Sequence, residues 1–209
     1  LSMTGGWTLP YITNDGQIVE FSTQLRGDIY SVEDVLLAGG RQFDGTTGRL
    51  IPEASATWRY PFFNRIDEQT SLMIEPVVSA AISPGGGNPE KIPNEDSLVP
   101  EFTDGNLFSP NRYAGYDRVE TGPRVSYGLR GQVQLFSDKY VDWLFGQHYQ
   151  TDPDRFFPFS NDRDSHFSDY VGKLGLHYLP FDIAYRFRLD KDDLSSKRNE
   201  VDATFTRSI

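Results

Sequence analysis

From Val119 to Leu135 the chain alternates without a break. The odd positions are Val119, Thr121, Pro123, Val125, Tyr127, Leu129, Gly131, Val133 and Leu135. The even ones are Glu120, Gly122, Arg124, Ser126, Gly128, Arg130, Gln132 and Gln134. A period of two belongs to a strand, and a largely apolar row opposite a polar row means that the two faces meet different surroundings. At about 3.3 Å per residue the stretch would reach roughly 50 Å, several times the usual soluble strand. It is either a long bent strand, or two strands, of a soluble sheet, or a wall strand of a transmembrane β-barrel with a polar lumen face and a lipid face.

The same pattern recurs along the chain. It predicts eight strands, at about 17–30, 51–62, 70–83, 118–137, 141–150, 169–178, 182–190 and 196–206. Residues 1–16, rich in Gly and Thr, read as a lead-in with a turn at Asn14-Asp15-Gly16, and 31–50, with Gly39-Gly40 and Asp44-Gly45, as a long loop. Pro76 and Pro123 cannot donate to a ladder and mark a bulge, an edge or a local opening. Up to 182 the connections alternate long and short, as barrel strands alternate between extracellular loops and periplasmic turns. Aromatic residues sit beside the short turns, at Phe62 and Phe63, Phe136 and Tyr140, and Tyr178 and Phe181, where a membrane-interface girdle would place them. The fold class expected is therefore all-β, an antiparallel transmembrane β-barrel of which these strands form part. The connection at 84–117 is too long for a passive loop, and Phe102, Phe108, Arg112, Tyr113 and Tyr116 imply that it folds against something.

Composition narrows the function. A net charge of -10 disfavours a nucleic-acid partner, whose phosphates ask for a basic surface. There is no cysteine, and no apolar run reaches the 18 or so residues of a transmembrane helix. The start, Leu1-Ser2-Met3-Thr4, lacks a signal peptide, so an exported protein would have lost one or these residues belong to a longer chain. No cofactor or metal motif is present. The three histidines, His148, His166 and His177, lack zinc-site spacing, and His148 and His177 are expected to meet solvent or the lumen. The acidic runs Asp152-Pro153-Asp154 and Asn161-Asp162-Arg163-Asp164 could offer oxygen ligands to calcium, although such loops are usually only solvated. No nucleophile elbow or phosphate loop occurs, which leaves little basis for an enzyme. A soluble β-protein, or a small self-contained barrel, binding carbohydrate through Trp58, Trp143 and Tyr149 is the alternative. In such a sandwich Val125, Tyr127, Leu129 and Val133 would be buried, whereas in a barrel wall they would be exposed.

Several motifs, in order, carry a resemblance. They are Leu72-Met73-Ile74-Glu75-Pro76, Asn94-Glu95-Asp96-Ser97, Asn106-Leu107-Phe108, Arg112-Tyr113-Ala114-Gly115-Tyr116-Asp117-Arg118, Tyr127-Gly128-Leu129-Arg130-Gly131 and Phe145-Gly146-Gln147-His148-Tyr149. Over about residues 50–205 the chain resembles the C-terminal barrel region of the LptD family (also called OstA or Imp), lipopolysaccharide-assembly proteins of the Gram-negative outer membrane. The resemblance implies a slice of a larger barrel that releases lipopolysaccharide into the outer leaflet, plugged by an LptE-like lipoprotein. It also implies supply by an LptA-like periplasmic bridge, through a domain that these residues do not contain. Residues 1–209 would then be one segment of the barrel domain. In that setting Asn94, Asp96, Asn106, Arg112, Tyr113, Gly115, Asp117 and Arg118 would form a network folding the long loop over or into the barrel mouth. Glu20, Arg26, Arg59, Glu75, Glu120, Arg124, Arg130, Arg186 and Arg188 would face the lumen or contact the lipoprotein plug.

Overall fold

The computed structural model describes residues 1–98, 101–136, 138–152 and 165–206, and every regular element among them is a strand. The strands are β1 Ser2–Ile12, β2 Ile18–Leu36, β3 Gln42–Arg59, β4 Phe62–Arg65, β5 Ser71–Ile82, β6 Arg124–Phe136, β7 Lys139–Gln150, β8 Tyr170–Tyr178, β9 Phe181–Leu189 and β10 Ser196–Phe205. They make one antiparallel sheet in chain order, with β4 continuing the path of β3 against β5. β1 pairs with β2 alone and β10 with β9 alone, so the sheet is open at both edges.

Ten strands replace the eight expected, and the differences have local causes. Residues 2–12 pair along their whole length with β2, from Ser2 against Asp28 to Ile12 against Ile18, so a long ladder overrides a weak local signal. The supposed loop at 31–50 is mostly a hairpin: β2 runs to Leu36, β3 starts at Gln42, and the turn is closed by Gly39 and Gly40 at φ +85° and +76°. The strand expected from 118 begins at Arg124, because Gly122 at φ +82° and Pro123, which has no N–H, stop the ladder. Pro76 lies at the seam where β3 ends against Val77 and β4 begins against Ile74, with Tyr60 N–H bonded to its carbonyl at 3.2 Å. The ladder is locally open there.

Register gives the sheet two unlike faces. Trp143, Leu174, Tyr185 and Val201 are successive cross-strand partners on the apolar face, where Leu174 is 49% and Val201 66% exposed. Tyr127 and Leu129 share that face and are 37% and 44% exposed, with Val125 and Val133 half-buried. Among the described residues no second sheet covers them, which removes the sandwich. The aromatic residues beside the short turns, Phe62, Phe63, Phe136, Tyr178 and Phe181, are exposed too, while Tyr140 stacks on His177 at 4.0 Å.

The other face is polar and, in part, buried. Residues 83–123 return from the end of β5 and lie against it. Their Phe102, Leu107 and Tyr113 pack with Val171 of β8, flanked by Phe108 and by Leu144 of β7. Gly146 and Gly128 make this approach possible: a Cβ at Gly146 would meet Leu107 at 2.5 Å, and one at Gly128 would meet Phe108 at 3.2 Å. The main apolar core is therefore between a loop and a polar sheet face.

Candidate functional site

The 83–123 connection has no ladder, so its backbone polar groups need other partners. Asparagine, serine and aspartate side chains supply them, as these short polar side chains do in turns. Asn88 bonds Val119 both ways, Nδ2 to the carbonyl at 2.7 Å and Oδ1 from the N–H at 2.9 Å. Asn94 closes a turn with Ser97, Ser97 Oγ accepts from Arg118 N–H at 2.9 Å, and Asn106 bridges Thr103 N–H and the Glu101 carbonyl. Asp96 and Asp117 are reciprocal: Asp96 accepts from the N–H groups of Tyr116 and Asp117, and Asp117 from those of Glu95 and Asp96, all within 2.8–2.9 Å. Burial works against ionisation of Asp96, but these N–H donors and the Ser97 hydroxyl outweigh it and hold the carboxyl below the usual aspartate range. Gly115, at φ +87°, lets the limbs meet, since a Cβ there would lie 2.5 Å from the Asp96 carbonyl. Of the residues expected in a network, Asn94, Asp96, Asn106, Gly115, Asp117 and Arg118 lie at these turns and junctions, and Tyr113 packs in the apolar core.

Arg112 fastens this unit to the sheet. Its guanidinium reaches Glu120 at 2.8 Å, the carbonyls of Asn106 and Leu107 at 3.0 and 2.9 Å, and, across on β6 and β7, Ser126 Oγ at 3.0 Å and His148 Nδ1 at 2.9 Å. A guanidinium only donates, so Nδ1 of His148 is an acceptor here. Arg124 continues the cluster to Glu53 of β3, the Pro110 carbonyl and Ser83. Burial pushes the Glu120 carboxyl up, and the charges of Arg112 and Arg124 pull it back. Burial lowers Arg112 likewise, against Glu120. Desolvation opposes charge on both partners, so the complete set of bonds is what makes the buried pair tolerable. At the upper edge Arg49 bonds Asp28 at 2.7 Å and the carbonyls of Gly87 and Asp117 at 2.8 Å, while Arg26 pairs with Asp28 at 2.9 Å and reaches the Tyr116 carbonyl.

The register puts Glu20, Arg26, Arg59, Glu75, Arg124, Arg130, Arg186 and Arg188 on the same polar face. Glu75 is buried between Arg130 and Arg59, the latter at 3.8 Å. Arg186 faces Asp104 at 3.5 Å and also Asp202, and Arg188 faces Asp169 at 3.4 Å and Glu101 at 3.7 Å. Glu120 is the exception to the strand expectation, because it belongs to the loop. His148 is buried beneath Arg112 and meets no solvent. Its role, with those of Ser126, Glu53, Asn88, Arg49 and Asp28, escaped the motifs; the one available signal was that Ser126 and His148 fall on the polar rows of their strands. Trp58 and Trp143 lie on the apolar face with β5 and β6 between them, and Tyr149 is far along β7 from Trp143, so they build no common platform. Of the acidic runs, residues 153–164 lie outside the described residues, and among the described ones no three carboxylates or histidines are placed to share a metal ion.

The arrangement is a sheet with one apolar face, one charged and hydroxylated face, and a loop locked onto the latter. None of the curated proteins matches the chain. The family model for LptD, described as LPS transport system D, matches residues 1–208, well beyond the span that the motifs cover. With essentially its whole length matched, the chain belongs to the LptD family, which serves lipopolysaccharide transport and assembly in the outer membrane of Gram-negative bacteria.

Proposed function

We propose that these strands are part of the wall of a transmembrane barrel in the Gram-negative outer membrane, and that the barrel passes lipopolysaccharide to the outer leaflet without itself catalysing a reaction. The single observation behind this reading is the inversion of the sheet: exposed Leu129, Leu174 and Val201 on one face, and buried Glu75, Arg124 and Ser126 on the other. A soluble sheet hides the first set; a lipid-facing wall displays it. Further strands would pair with the open edges of β1 and β10 and close the barrel, since unpaired backbone groups are not tolerated in hydrocarbon.

In this setting the polar face lines the lumen and residues 83–123 narrow it. The lumen-facing row from Arg59 to Arg188, together with Glu20 and Arg26, is the surface available to an LptE-like lipoprotein plug. An LptA-like bridge would deliver substrate through a periplasmic domain outside these residues. The test compares the chain refolded in detergent with the chain in plain buffer, by far-UV circular dichroism and heat-modifiable migration. A β spectrum and shifted migration only in detergent is the expected result. A monodisperse, cooperatively folding protein in buffer overturns the reading.

A further inference from the structure

Among the described residues, the cations of the strands have carboxylate or carbonyl partners, with one exception. On the polar rows Arg26 meets Asp28, Arg124 meets Glu53, Arg130 meets Glu75 and Lys173 meets Asp142. Lys139, the first residue of β7, is placed differently. Its cross-strand partners are Phe136 on β6 and Tyr178 on β8, and the row continues to Phe181 on β9 and Phe205 on β10, all four of them exposed. On β7, β8, β9 and β10 the row lies two residues from the one formed by Val141, Leu176, Ile183 and Ala203, so it belongs to the apolar face. Among the described residues that have a cross-strand partner, Lys139 is the only cation on that face.

The Lys139 ammonium lies 4.4 Å from the centre of the Tyr178 ring and 5.2 Å from that of Phe136. Ring faces attract a cation, but they do not accept its N–H bonds as an anionic oxygen does. Among the described residues no carboxylate pairs with this amine and no hydrogen bond leaves it. The backbone beneath it is fixed, because the Gln134 amide donates to the carbonyls of Phe136 and Lys139, the second at 3.4 Å. The row closes the sheet at the short β6–β7 and β8–β9 turns, the end opposite residues 83–123.

Resting on the barrel-wall reading, that end meets the periplasmic leaflet. A lysine on a lipid-facing row turns its amine toward the head groups, and exposed aromatic residues mark the same depth. The anion available to it there is a lipid phosphate. We infer that Lys139, cradled by Phe136 and Tyr178, binds the phosphodiester of a phospholipid in the periplasmic leaflet, whose acyl chains lie along Val141, Leu176 and Ile183.

For the test, the full chain is refolded in a maltoside detergent, which carries no phosphate, and its folding is checked by heat-modifiable migration. It is then incubated with dioleoylphosphatidylglycerol, or with dioleoylglycerol, which has the same chains and no phosphate, and retained lipid is read by native mass spectrometry. The unsubstituted chain and Lys139→Arg are expected to retain the phospholipid over dioleoylglycerol. Lys139→Gln should lose about fivefold in retention, and Lys173→Gln, on the polar face, should lose nothing. Equal retention of the two lipids, or equal retention by the unsubstituted chain and Lys139→Gln, overturns the site and leaves the wall reading intact. Retention of lipopolysaccharide through Lys139 in preference to phosphatidylglycerol overturns the assignment to a phospholipid. A chain that folds in buffer and not in detergent overturns both readings.

Discussion

Residues 30–47 and 83–123 leave the sheet at the same end, and they are ordered by opposite means. In the first stretch β2 and β3 continue past the last partners of β1 and β5 and pair only with each other, up to Leu36 against Gln42. Its order comes mainly from backbone ladder bonds, which nearly any side chain can make, with Asp44 accepting from the Asp34 N–H at 2.6 Å where the register shifts. In the second, the limbs are joined by Asn88, Asp96, Ser97 and Asp117, and the whole is fastened through Arg112. Its order comes from particular side chains. Sensitivity to substitution should follow that division, and hydrogen exchange of the full chain folded in detergent measures it directly.

The largest effect is expected at Arg112. Arg112→Ala leaves Glu120 buried without its closest counter-charge and removes the bonds to Ser126 and His148. Breaking one partner of a buried pair costs about 3–5 kcal/mol. Protection across 94–118 should collapse while the β6–β9 ladders keep theirs; unchanged loop protection would show that the apolar core alone holds the loop. Gly115→Ala comes next. A left-handed backbone costs an alanine about 1–2 kcal/mol, and the approach of 2.5 Å to the Asp96 carbonyl adds to this. The limbs should separate around 95–117 with the Phe102–Leu107 core still docked, a narrower lesion than at Arg112.

Acid should separate the two stretches without any mutation. The Asp96 carboxyl is held below its ordinary value, so the folded loop binds that proton less readily than the open chain does. A depressed carboxyl contributes stability that is complete above the unfolded value, near pH ~3.9, and is lost as pH falls through the folded value. Exchange of the Tyr116 and Asp117 amides should therefore rise below about pH 4 once corrected for intrinsic rates. The ladder-bonded amide of Thr47 should not follow. A matching rise in the hairpin would mean that the whole end of the sheet opens together.

What could be read in the sequence followed the same division. Alternation located the strands whose rows differ sharply, and the motifs that resemble the LptD family marked the residues where the loop's limbs meet. Residues 2–12 were illegible because Thr4-Gly5-Gly6 and Pro10 weaken the local pattern, and only the partner strand β2 makes them extended. Asp44-Gly45 suggests a turn, although Gly45 and Gly48 both lie in the ladder, where a Cβ at Gly48 would meet the Asp28 carbonyl at 2.9 Å. The place of His148 beneath Arg112 follows only from register. Its row on β7 faces Ser126 on β6, and Arg112 arrives at both from a loop more than thirty residues away in sequence from His148.

The smallest effect sharpens the contrast most. Thr47, half-buried on β3, is the ladder partner of Tyr30, and among the described residues no side-chain bond is seen from it. Thr47→Ala removes no bond that orders the hairpin, so its effect should stay within about 0.5 kcal/mol. Thr47→Pro keeps the side chain small but deletes the N–H that faces β2 and restricts φ, and should open the hairpin from its tip toward Gly48. If alanine were as damaging as proline, the hairpin would depend on side chains after all. If proline were harmless, its ladder would contribute nothing to its order, and the two stretches would no longer differ in kind.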